Sequence, residues 1–371
     1  MTTTLDPRKR GNAAESFVRR MGELIAGQGE AIEEIANTYQ LCLTGMIPQG
    51  RPLANFLFLG PTGCGKTRVV EATAECLVNN PKAVIKIDCG EFQHSHEIAK
   101  LIGSPPGYLG HRETHAMLSQ EAINQYHTDD VKISFILFDE IEKASDSLWN
   151  LLLGILDKAV LTLGDNRKVD FSKAMIFMTG NVGATEMASM LNPRLGFNAV
   201  EQSREARSGA LNDKLSGKIS RTGAEAARRK FTPEFMNRID KVVVFKPLGP
   251  VELRRIVDIE LANVQQRIFS MSLSSGFLMD ITEHAKQVLL EQGTDARYGA
   301  RHLKRAIERL VVQPLANLMA SGQIHAGDVV AIDGDRSSDA LAFRLTGEGL
   351  EKEEMVQAAA APGGWLGAEA A

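Results

Sequence analysis

The sequence predicts an α/β protein with a five-stranded parallel sheet between two layers of helices, followed by a smaller and mostly helical domain. Short apolar segments alternate with segments whose apolar residues recur at helical spacing, and this alternation is typical of a parallel sheet covered on both faces. The run Pro247–Pro250 then interrupts the chain, and the pattern beyond it is mostly helical. We therefore expect two domains that differ in size and in fold.

The predicted strands of the sheet are short and mostly apolar. They are Asn55–Leu59, Ala83–Ile87, Ser134–Phe138, Ala174–Met178 and Val242–Phe245. Ahead of them, residues 17–43 carry apolar side chains at helical spacing, with a turn at residues 26–29. In the smaller domain, Val329–Ile332 and Ala342–Leu345 are predicted edge strands among helices.

These patterns set the expected boundaries along the chain. We expect a flexible N-terminus over residues 1–15, a large domain over 16–247, a small helical domain over 248–345 and a disordered tail over 346–371. The tail is rich in alanine, glycine and glutamate, and such a composition buries too little apolar surface to fold.

The bulk composition is that of an ordinary globular protein. The 371 residues are 44% hydrophobic and 24% charged, and the formal net charge is -4. This slightly acidic balance argues against bulk electrostatic binding to nucleic acid or to an anionic membrane. The four cysteines form neither a CxxC pair nor a cluster with zinc spacing, so we expect isolated reduced thiols.

No segment of the sequence looks like a targeting or membrane signal. Residues 1–20 are polar and basic and lack the apolar core of a signal peptide. No apolar run approaches the roughly 20 residues that span a bilayer. The sequence therefore predicts a cytoplasmic protein that binds neither membrane nor nucleic acid.

The strongest chemical signal is a phosphate-binding loop between the first strand and a helix. The run fits the pattern GxxxxGK[ST] without a gap: Gly60, Pro61, Thr62, Gly63, Cys64, Gly65, Lys66 and Thr67. Glycines let the backbone wrap a phosphate with its N–H groups pointing inward, and the helix N-terminus adds a favourable dipole. Lys66 is expected to reach the β- and γ-phosphates of ATP, and the Thr67 hydroxyl is expected to bind Mg²⁺.

A pair of carboxylates ends the third predicted strand. The segment Ile136–Glu140 is apolar up to Asp139 and Glu140. Asp139 at the strand tip is expected to hold Mg²⁺, directly or through water, together with Thr67. Glu140 is expected to orient or deprotonate the attacking water. With the phosphate-binding loop upstream, this pair predicts hydrolysis of a nucleoside triphosphate.

Several further segments, in order along the chain, make the sequence resemble the Clp/heat-shock branch of the AAA+ ATPases. They are Ala26–Gln28, Leu101–Gly110, Glu142–Ala144, Thr179–Asn181, Phe231–Asp240 and Tyr298–Arg301. The resemblance is to the C-terminal ATPase module of ClpB, ClpA and ClpC, and it extends from Gly27 to Asp333. It implies an AAA+ large domain followed by the small domain of the Clp type.

The resemblance also implies roles for three more residues. Asn181 would serve as the first sensor, hydrogen-bonded to the attacking water or the γ-phosphate. Arg238 would be an arginine finger that reaches the γ-phosphate bound by a neighbouring subunit, and Arg301 would touch the same phosphate from the small domain of its own subunit. Because a finger in trans requires an oligomer, the resemblance implies a homo-hexameric ring.

The expected contact with substrate is a single aromatic residue in a glycine-flanked loop. The segment Pro106–Gly110 resembles the central-pore loop of the family and presents Tyr108 between two glycines. Glycines let the loop move, and the ring offers broad apolar contact to any polypeptide. The resemblance therefore implies protein substrates that are gripped without sequence selectivity.

The sequence departs from the family pattern in three ways. It has a single ATPase module, so the choice of partner must come from elsewhere. The residues after Gly110, His111–His115, replace the acidic residue and paired glycines that are usual there, and residues 198–230 are predicted to be a long, mobile insertion. Just before that insertion, Leu195, Gly196 and Phe197 resemble an apolar-Gly-apolar tripeptide by which protease-linked unfoldases dock a ClpP-type peptidase, and such docking is a hypothesis here.

Other functions are compatible with the same loop and acidic pair. The chain could be an AAA+ switch that assembles or remodels one partner complex without threading it. It could also be a nucleotide-binding scaffold that barely turns over, although the complete set of Lys66, Asp139, Glu140 and Arg238 argues against this. A helicase is disfavoured by the acidic net charge and by the lack of an aromatic and basic strand-binding motif.

Overall fold

The computed structural model of the protein describes most of the chain. The described residues are 5–104, 116–183, 209–270, 276–294, 299–334 and 340–350, together with Glu354, Met355 and Gln357. The chain divides into two compact units, Met1–Pro247 and Leu248–Ala371. Within the described residues, no helix is long and apolar enough to cross a membrane.

The first unit contains a five-stranded sheet, as the sequence predicts. Its strands are β1 (Ala54–Leu59), β2 (Val84–Asp88), β3 (Ser134–Asp139), β6 (Ala174–Gly180) and β7 (Lys241–Val244). They lie in the order β2-β3-β6-β1-β7, and every neighbouring pair is parallel. The carboxyl ends of all five strands therefore meet at one edge of the sheet.

The central strands are buried on both faces because each face carries its own apolar core. β1 and β6 are buried at every position. Along β1, Phe56 and Phe58 belong to one core, while Leu57 and Leu59 belong to the other. This is the alternation that a pleated strand imposes, and it explains why the segment reads as a continuous apolar run.

Helices and a small hairpin complete the first unit. The helices are α1 (Asn12–Leu24), α2 (Gly29–Thr44), α3 (Lys66–Val78), α4 (Ala99–Ile102), α5 (Gln120–Asn124), α6 (Asp146–Lys158), α7 (Gly209–Lys230) and α8 (Pro233–Met236). The hairpin pairs β4 (Val160–Thr162) with β5 (Lys168–Asp170) in antiparallel fashion. The first helix already begins at Asn12, inside the N-terminal stretch that the sequence predicts to be flexible.

The stretch predicted to be a mobile insertion, residues 198–230, is helical over its described part. α7 runs for 22 residues from Gly209 to Lys230. Its composition is rich in alanine, arginine and lysine, which are strong helix formers, so a polar stretch need not be irregular. Ala227 is buried against the core of the sheet. Residues 209–230 of the insertion therefore form a regular helix, and the mobility of the stretch stays a prediction.

The second unit combines helices with a three-stranded sheet around its own core. Its helices are α9 (Pro250–Ser270), α10 (Glu283–Gly293), α11 (Ala300–Ile307) and α12 (Gln313–Ala320), and its strands are β8 (Leu278–Ile281), β9 (Val329–Gly334) and β10 (Leu341–Gly347). A π-helical turn, Glu308–Val312, joins α11 to α12. The strand order is β10-β9-β8, so the segment predicted as an edge strand at 329–332 is the central strand.

The ordered part of the second unit extends beyond the predicted start of the tail. Thr346 and Gly347 belong to β10, and the Leu350 amide donates a hydrogen bond to the Gly327 carbonyl at 2.9 Å. Met355 is buried. The prediction of disorder from Thr346 onward is therefore wrong for these residues, which are paired through the backbone or, at Met355, buried. Most of the remaining tail lies outside the described residues.

Candidate nucleotide-binding and catalytic site

The phosphate-binding loop lies between the carboxyl end of β1 and the first turn of α3. Gly65 precedes the helix with a φ of 96°, a conformation that an L side chain rarely adopts. At Gly60, a Cβ atom would lie 2.8 Å from the carbonyl oxygen of Phe245. These two glycines thus let the backbone turn tightly into the helix, and the N–H groups at the start of α3 favour an anion there.

The side chain of Lys66 lies inside this loop. It is only 8% exposed. Its ammonium group donates hydrogen bonds to the carbonyl oxygens of Gly60 at 2.7 Å and Pro61 at 3.0 Å, and to Asn181 Oδ1 at 3.0 Å. A buried cation beside a helix N-terminus is a strong match to phosphate. The contact also brings together two residues, Lys66 and Asn181, that the sequence assigns to the same site.

The acidic pair lies beside the loop at the end of β3. Asp139 Oδ2 is 3.5 Å from the Thr67 hydroxyl, at the limit of a hydrogen bond. A carboxylate and a hydroxyl at this spacing are oxygen ligands of the kind that Mg²⁺ takes. The residues present therefore fit a Mg²⁺ ion accompanied by a nucleotide phosphate, with Thr67 and Asp139 as its protein ligands.

Glu140 has an unusual backbone conformation for a non-glycine residue. Its φ is 55°, in the left-handed region. Its amide donates to the Thr179 hydroxyl at 3.1 Å, and its carboxylate forms an ion pair with Lys143 at 2.5 Å. Such a conformation costs roughly 1–3 kcal/mol and persists only where neighbours hold it. Here the hydrogen bond to Thr179 contributes to that hold.

Asn181 is fixed from two sides. Its amide donates to Glu142 Oε1 at 3.0 Å, while its side-chain oxygen faces Lys66 and lies 3.5 Å from the Thr62 hydroxyl. The sequence places Glu142 within a family motif but indicates no role for it. Its position opposite Asn181 follows from the pairing of β3 with β6, which the sequence alone does not reveal.

Gln28 ties the loop before α2 to the nucleotide site. It is buried, and its side-chain amide donates to the carbonyls of Cys64 at 3.1 Å and Lys246 at 2.9 Å. The Lys246 amide donates back to Gln28 Oε1 at 3.3 Å. This side chain therefore links the phosphate-binding loop to the segment that follows β7.

Arg238 lies away from the phosphate-binding loop of its own subunit. Its carbonyl accepts a hydrogen bond from the Asn55 side chain at 2.9 Å, at the amino end of β1. The loop starts at the other end of that strand, about 16 Å away at 3.3 Å per residue. The guanidinium contacts Glu234 at 3.3 Å and Asp157 at 3.9 Å. The structure therefore does not bring Arg238 to Lys66 or Asn181 of the same chain.

Of the remaining predicted site residues, the structure describes only Arg301. Arg301 is the second residue of α11, in the second unit, and its side chain is exposed. Tyr108 lies outside the described residues, and so do Leu195, Gly196 and Phe197.

All four cysteines are free thiols shielded from solvent to different degrees. Cys64, Cys76 and Cys89 are buried and Cys42 is half-buried. Burial raises the pKa of each thiol, to about 11 for Cys42 and Cys76. Cys64 therefore sits in the phosphate-binding loop as a packed neutral side chain.

Comparison with known proteins places this fold and site in one family. The model of the AAA domain (Cdc48 subfamily) matches residues 51–242, and the model of the C-terminal, D2-small domain of ClpB protein matches residues 248–332. The chain belongs to the AAA+ family of ATPases. Within that family, the small-domain match assigns it to the Clp branch.

Clp chaperones are among the proteins that this chain is similar to. The chloroplastic chaperone protein ClpC3 of Oryza sativa subsp. japonica is 37% identical over 347 residues, which cover 94% of this chain and 35% of the relative. ClpB of Rhodopseudomonas palustris is 35% identical over 316 residues, covering 85% of this chain and 32% of the relative. The chain thus spans about a third of the length of these relatives.

A solved structure agrees with the sequence matches. The chain is similar to a closed-state cryo-EM reconstruction of Hsp104 with ATPγS and FITC-casein, with a TM-score of 0.70 and 28% identity. The similarity covers 90% of this chain and 51% of that chain.

Proposed function

We propose that this chain hydrolyses Mg·ATP as a cytoplasmic, hexameric ring and uses the energy to unfold or remodel other proteins. The observation that carries the proposal is that the predicted catalytic residues lie at two opposite ends of β1. Lys66, Asp139 and Asn181 converge at the carboxyl edge of the sheet, whereas Arg238 lies at the other end of β1. A site of this kind is completed by the arginine of a second copy.

Each converging residue has a step to perform. Bound ATP supplies the phosphoryl group that is transferred to water, with Mg²⁺ neutralising its charge. Lys66 and the N–H groups at the start of α3 bind the phosphates, and Asp139 and Thr67 hold the metal. Glu140 accepts the proton of the attacking water, an effect worth about 10²–10⁴ in rate. Asn181 orients the same water.

Glu140 must leave its ion pair with Lys143 to act on water. That pair is 34% exposed at Glu140 and 50% exposed at Lys143. An exposed pair of this kind contributes about 0–1 kcal/mol, so its exchange for a water contact is inexpensive. The ion pair is therefore compatible with Glu140 as the base.

Arg238 must likewise exchange partners when two subunits meet. In the single chain it pairs with Glu234 and Asp157, while its Nε is buried without a hydrogen-bond partner among the described residues. In the ring it contacts the γ-phosphate bound by its neighbour, where a guanidinium stabilises the charge of the transition state. Such an arginine is worth about 10³–10⁵ in rate in GTPases.

The contact with protein substrates is assigned to Tyr108, on the strength of the family resemblance. The same resemblance supports Arg301 as the sensor of nucleotide state in the second unit. Docking of a ClpP-type peptidase through Leu195, Gly196 and Phe197 is a further hypothesis. A Tyr108→Ala variant separates threading from a non-threading switch, because only threading requires the ring of Tyr108 while ATP hydrolysis continues.

The test of the proposal is ATP hydrolysis as a function of protein concentration, with the molecular mass followed by light scattering. We expect specific activity to rise as a hexamer forms. Glu140→Gln should lower turnover by about 10²-fold or more and still assemble with ATP. Arg238→Ala should lower turnover by a similar factor while nucleotide binding persists. Arg221→Ala, at an exposed arginine of α7, is the matched control and should change neither turnover nor nucleotide binding.

A different outcome would remove the ring from the proposal. If the wild type hydrolyses ATP as a monomer and tolerates Arg238→Ala, no neighbour completes the site. If Arg238→Ala instead abolishes nucleotide binding by the single chain, the arginine acts on its own subunit.

A further inference from the structure

One buried hydroxyl connects the two carboxylate residues of the site. Thr179 lies on β6 and is 1% exposed. Its hydroxyl donates a hydrogen bond to Asp139 Oδ1 and accepts one from the Glu140 amide at 3.1 Å. A hydroxyl has a single hydrogen to donate, so these two contacts are mutually consistent. The bridge thus links the residue that holds the metal to the residue that activates water.

The position of Thr179 follows from the sheet. Phe138 of β3 pairs with Met178 of β6, so the next residue on each strand, Asp139 and Thr179, lie side by side at the carboxyl edge. The other oxygen of Asp139, Oδ2, faces the Thr67 hydroxyl. Asp139 therefore lies between two threonine hydroxyls, of which Thr67 belongs to the phosphate-binding loop.

The two hydrogen bonds of the Thr179 hydroxyl have different effects on the site. The bond to Asp139 selects one orientation of the carboxylate, and a preset orientation raises the affinity of a ligand for its metal. The bond from Glu140 satisfies an amide in a strained, left-handed conformation, and it thereby sets the direction in which the Glu140 side chain leaves the backbone.

We propose that Thr179 is the positioning residue of the acidic pair: its hydroxyl fixes Asp139 for Mg²⁺ and Glu140 for water at the same time. The inference rests on the proposed function in that it assumes a Mg·ATP site. Thr179 acts through its contacts with Asp139 and the Glu140 amide. Its removal should weaken the effect of Mg²⁺ on nucleotide binding and lower turnover, and leave metal-free binding to the phosphate-binding loop intact.

The test compares Thr179→Val, which keeps the shape of the side chain and removes the hydroxyl, with Thr179→Ser, which keeps the hydroxyl. Binding of fluorescent ATP is measured with Mg²⁺ and with EDTA, in a Glu140→Gln background so that the nucleotide is not consumed. Thr179→Val should lose about fivefold or more of the affinity gained from Mg²⁺ and keep its affinity in EDTA within about twofold. In the native background its kcat should fall about tenfold or more with a smaller change in KM.

The controls separate positioning from stability. Thr179→Ser should restore both readouts to within about threefold of the wild type. Thr73→Val removes a buried hydroxyl that bonds the Val69 carbonyl within α3, and it should leave the Mg²⁺ effect unchanged. Should Thr179→Val fail to fold, Thr179→Ala deletes the same hydroxyl with less bulk.

Two results would overturn the inference. One is a Thr179→Val protein that keeps the full Mg²⁺ effect, and the other is a Thr179→Ser protein that loses as much as Thr179→Val. Failure of the proposed function gives a different result. Even if the wild-type chain does not hydrolyse ATP, nucleotide binding with Mg²⁺ and with EDTA can still be compared between the Thr179 variants and the wild type.

Discussion

The ammonium group of Lys66 is buried among oxygen atoms of the phosphate-binding loop and of Asn181. Replacement by alanine removes the cation that would otherwise meet the phosphates. We expect Lys66→Ala to weaken binding of fluorescent ADP about tenfold or more, because hydrogen bonds to charged groups contribute about 1.5–3 kcal/mol. Lys82→Ala, at an exposed lysine, is the matched control. Equal affinities of the two variants would show that Lys66 does not contact the nucleotide.

The residues of the site also show which positions a sequence can reveal. Lys66 and Asp139 are predictable because their spacing and strand context are local properties of the chain. The contacts of Thr179 and Glu142 are not, since Thr179 meets Asp139 of a neighbouring strand and Glu142 meets Asn181 just beyond one. Which side chains face each other across β3 and β6 depends on the register of the sheet, and the register appears only in the folded chain.

Among the elements, α7 offers a direct test of its helical state. Gly217 lies within it and is exposed, and a Cβ atom there would meet nothing within 4 Å. Gly217→Ala should therefore stabilise the protein by about 0.5–1 kcal/mol, and Gly217→Pro should cost about 3 kcal/mol. Thermal unfolding followed by circular dichroism measures both.

The change from glycine to alanine at Gly45 should instead lower the stability of the protein. Gly45 ends α2 with a φ of 70°, which alanine adopts only with strain, although a Cβ there would also meet open space. Equal shifts of the unfolding temperature for Gly45→Ala and Gly217→Ala would contradict a helix over residues 209–230.

The elements differ in how well the sequence predicts them. The five strands of the large sheet are predictable because burial on both faces makes them continuous apolar runs. α7 is not, because its three glycines and its mostly polar composition are equally typical of a loop. The central position of β9 cannot be predicted from the sequence either, because strand order is set by contacts between distant segments.

At the scale of the whole molecule, the single chain does not assemble every residue that hydrolysis is proposed to need. The sequence indicates Arg238 through a family motif, and the structure adds that it lies at the opposite end of β1 from the phosphate-binding loop. This location separates the arginine from the phosphate-binding loop of its own subunit. The resemblance alone implies a finger in trans, and the geometry supports that implication for this chain.

The cysteines of the whole chain give a prediction about pH. Raised pKa values keep the thiols protonated at neutral pH, and the reactive thiolate appears only as the pH approaches about 11 at Cys42 and Cys76. We expect Ellman's reagent to react slowly with the native protein at pH 8 and to react with all four cysteines after denaturation. Rapid reaction of the native protein would contradict the burial of these side chains.

This protection has a practical consequence for the study of motion. A dye attached through maleimide needs a reactive thiolate, and the native side chains offer little of it. A cysteine introduced at an exposed position, such as Arg221 on α7, would therefore be labelled selectively without first removing Cys42, Cys64, Cys76 and Cys89. The phosphate-binding loop would keep its own sequence while the fluorescence of the attached dye reports on the surroundings of α7.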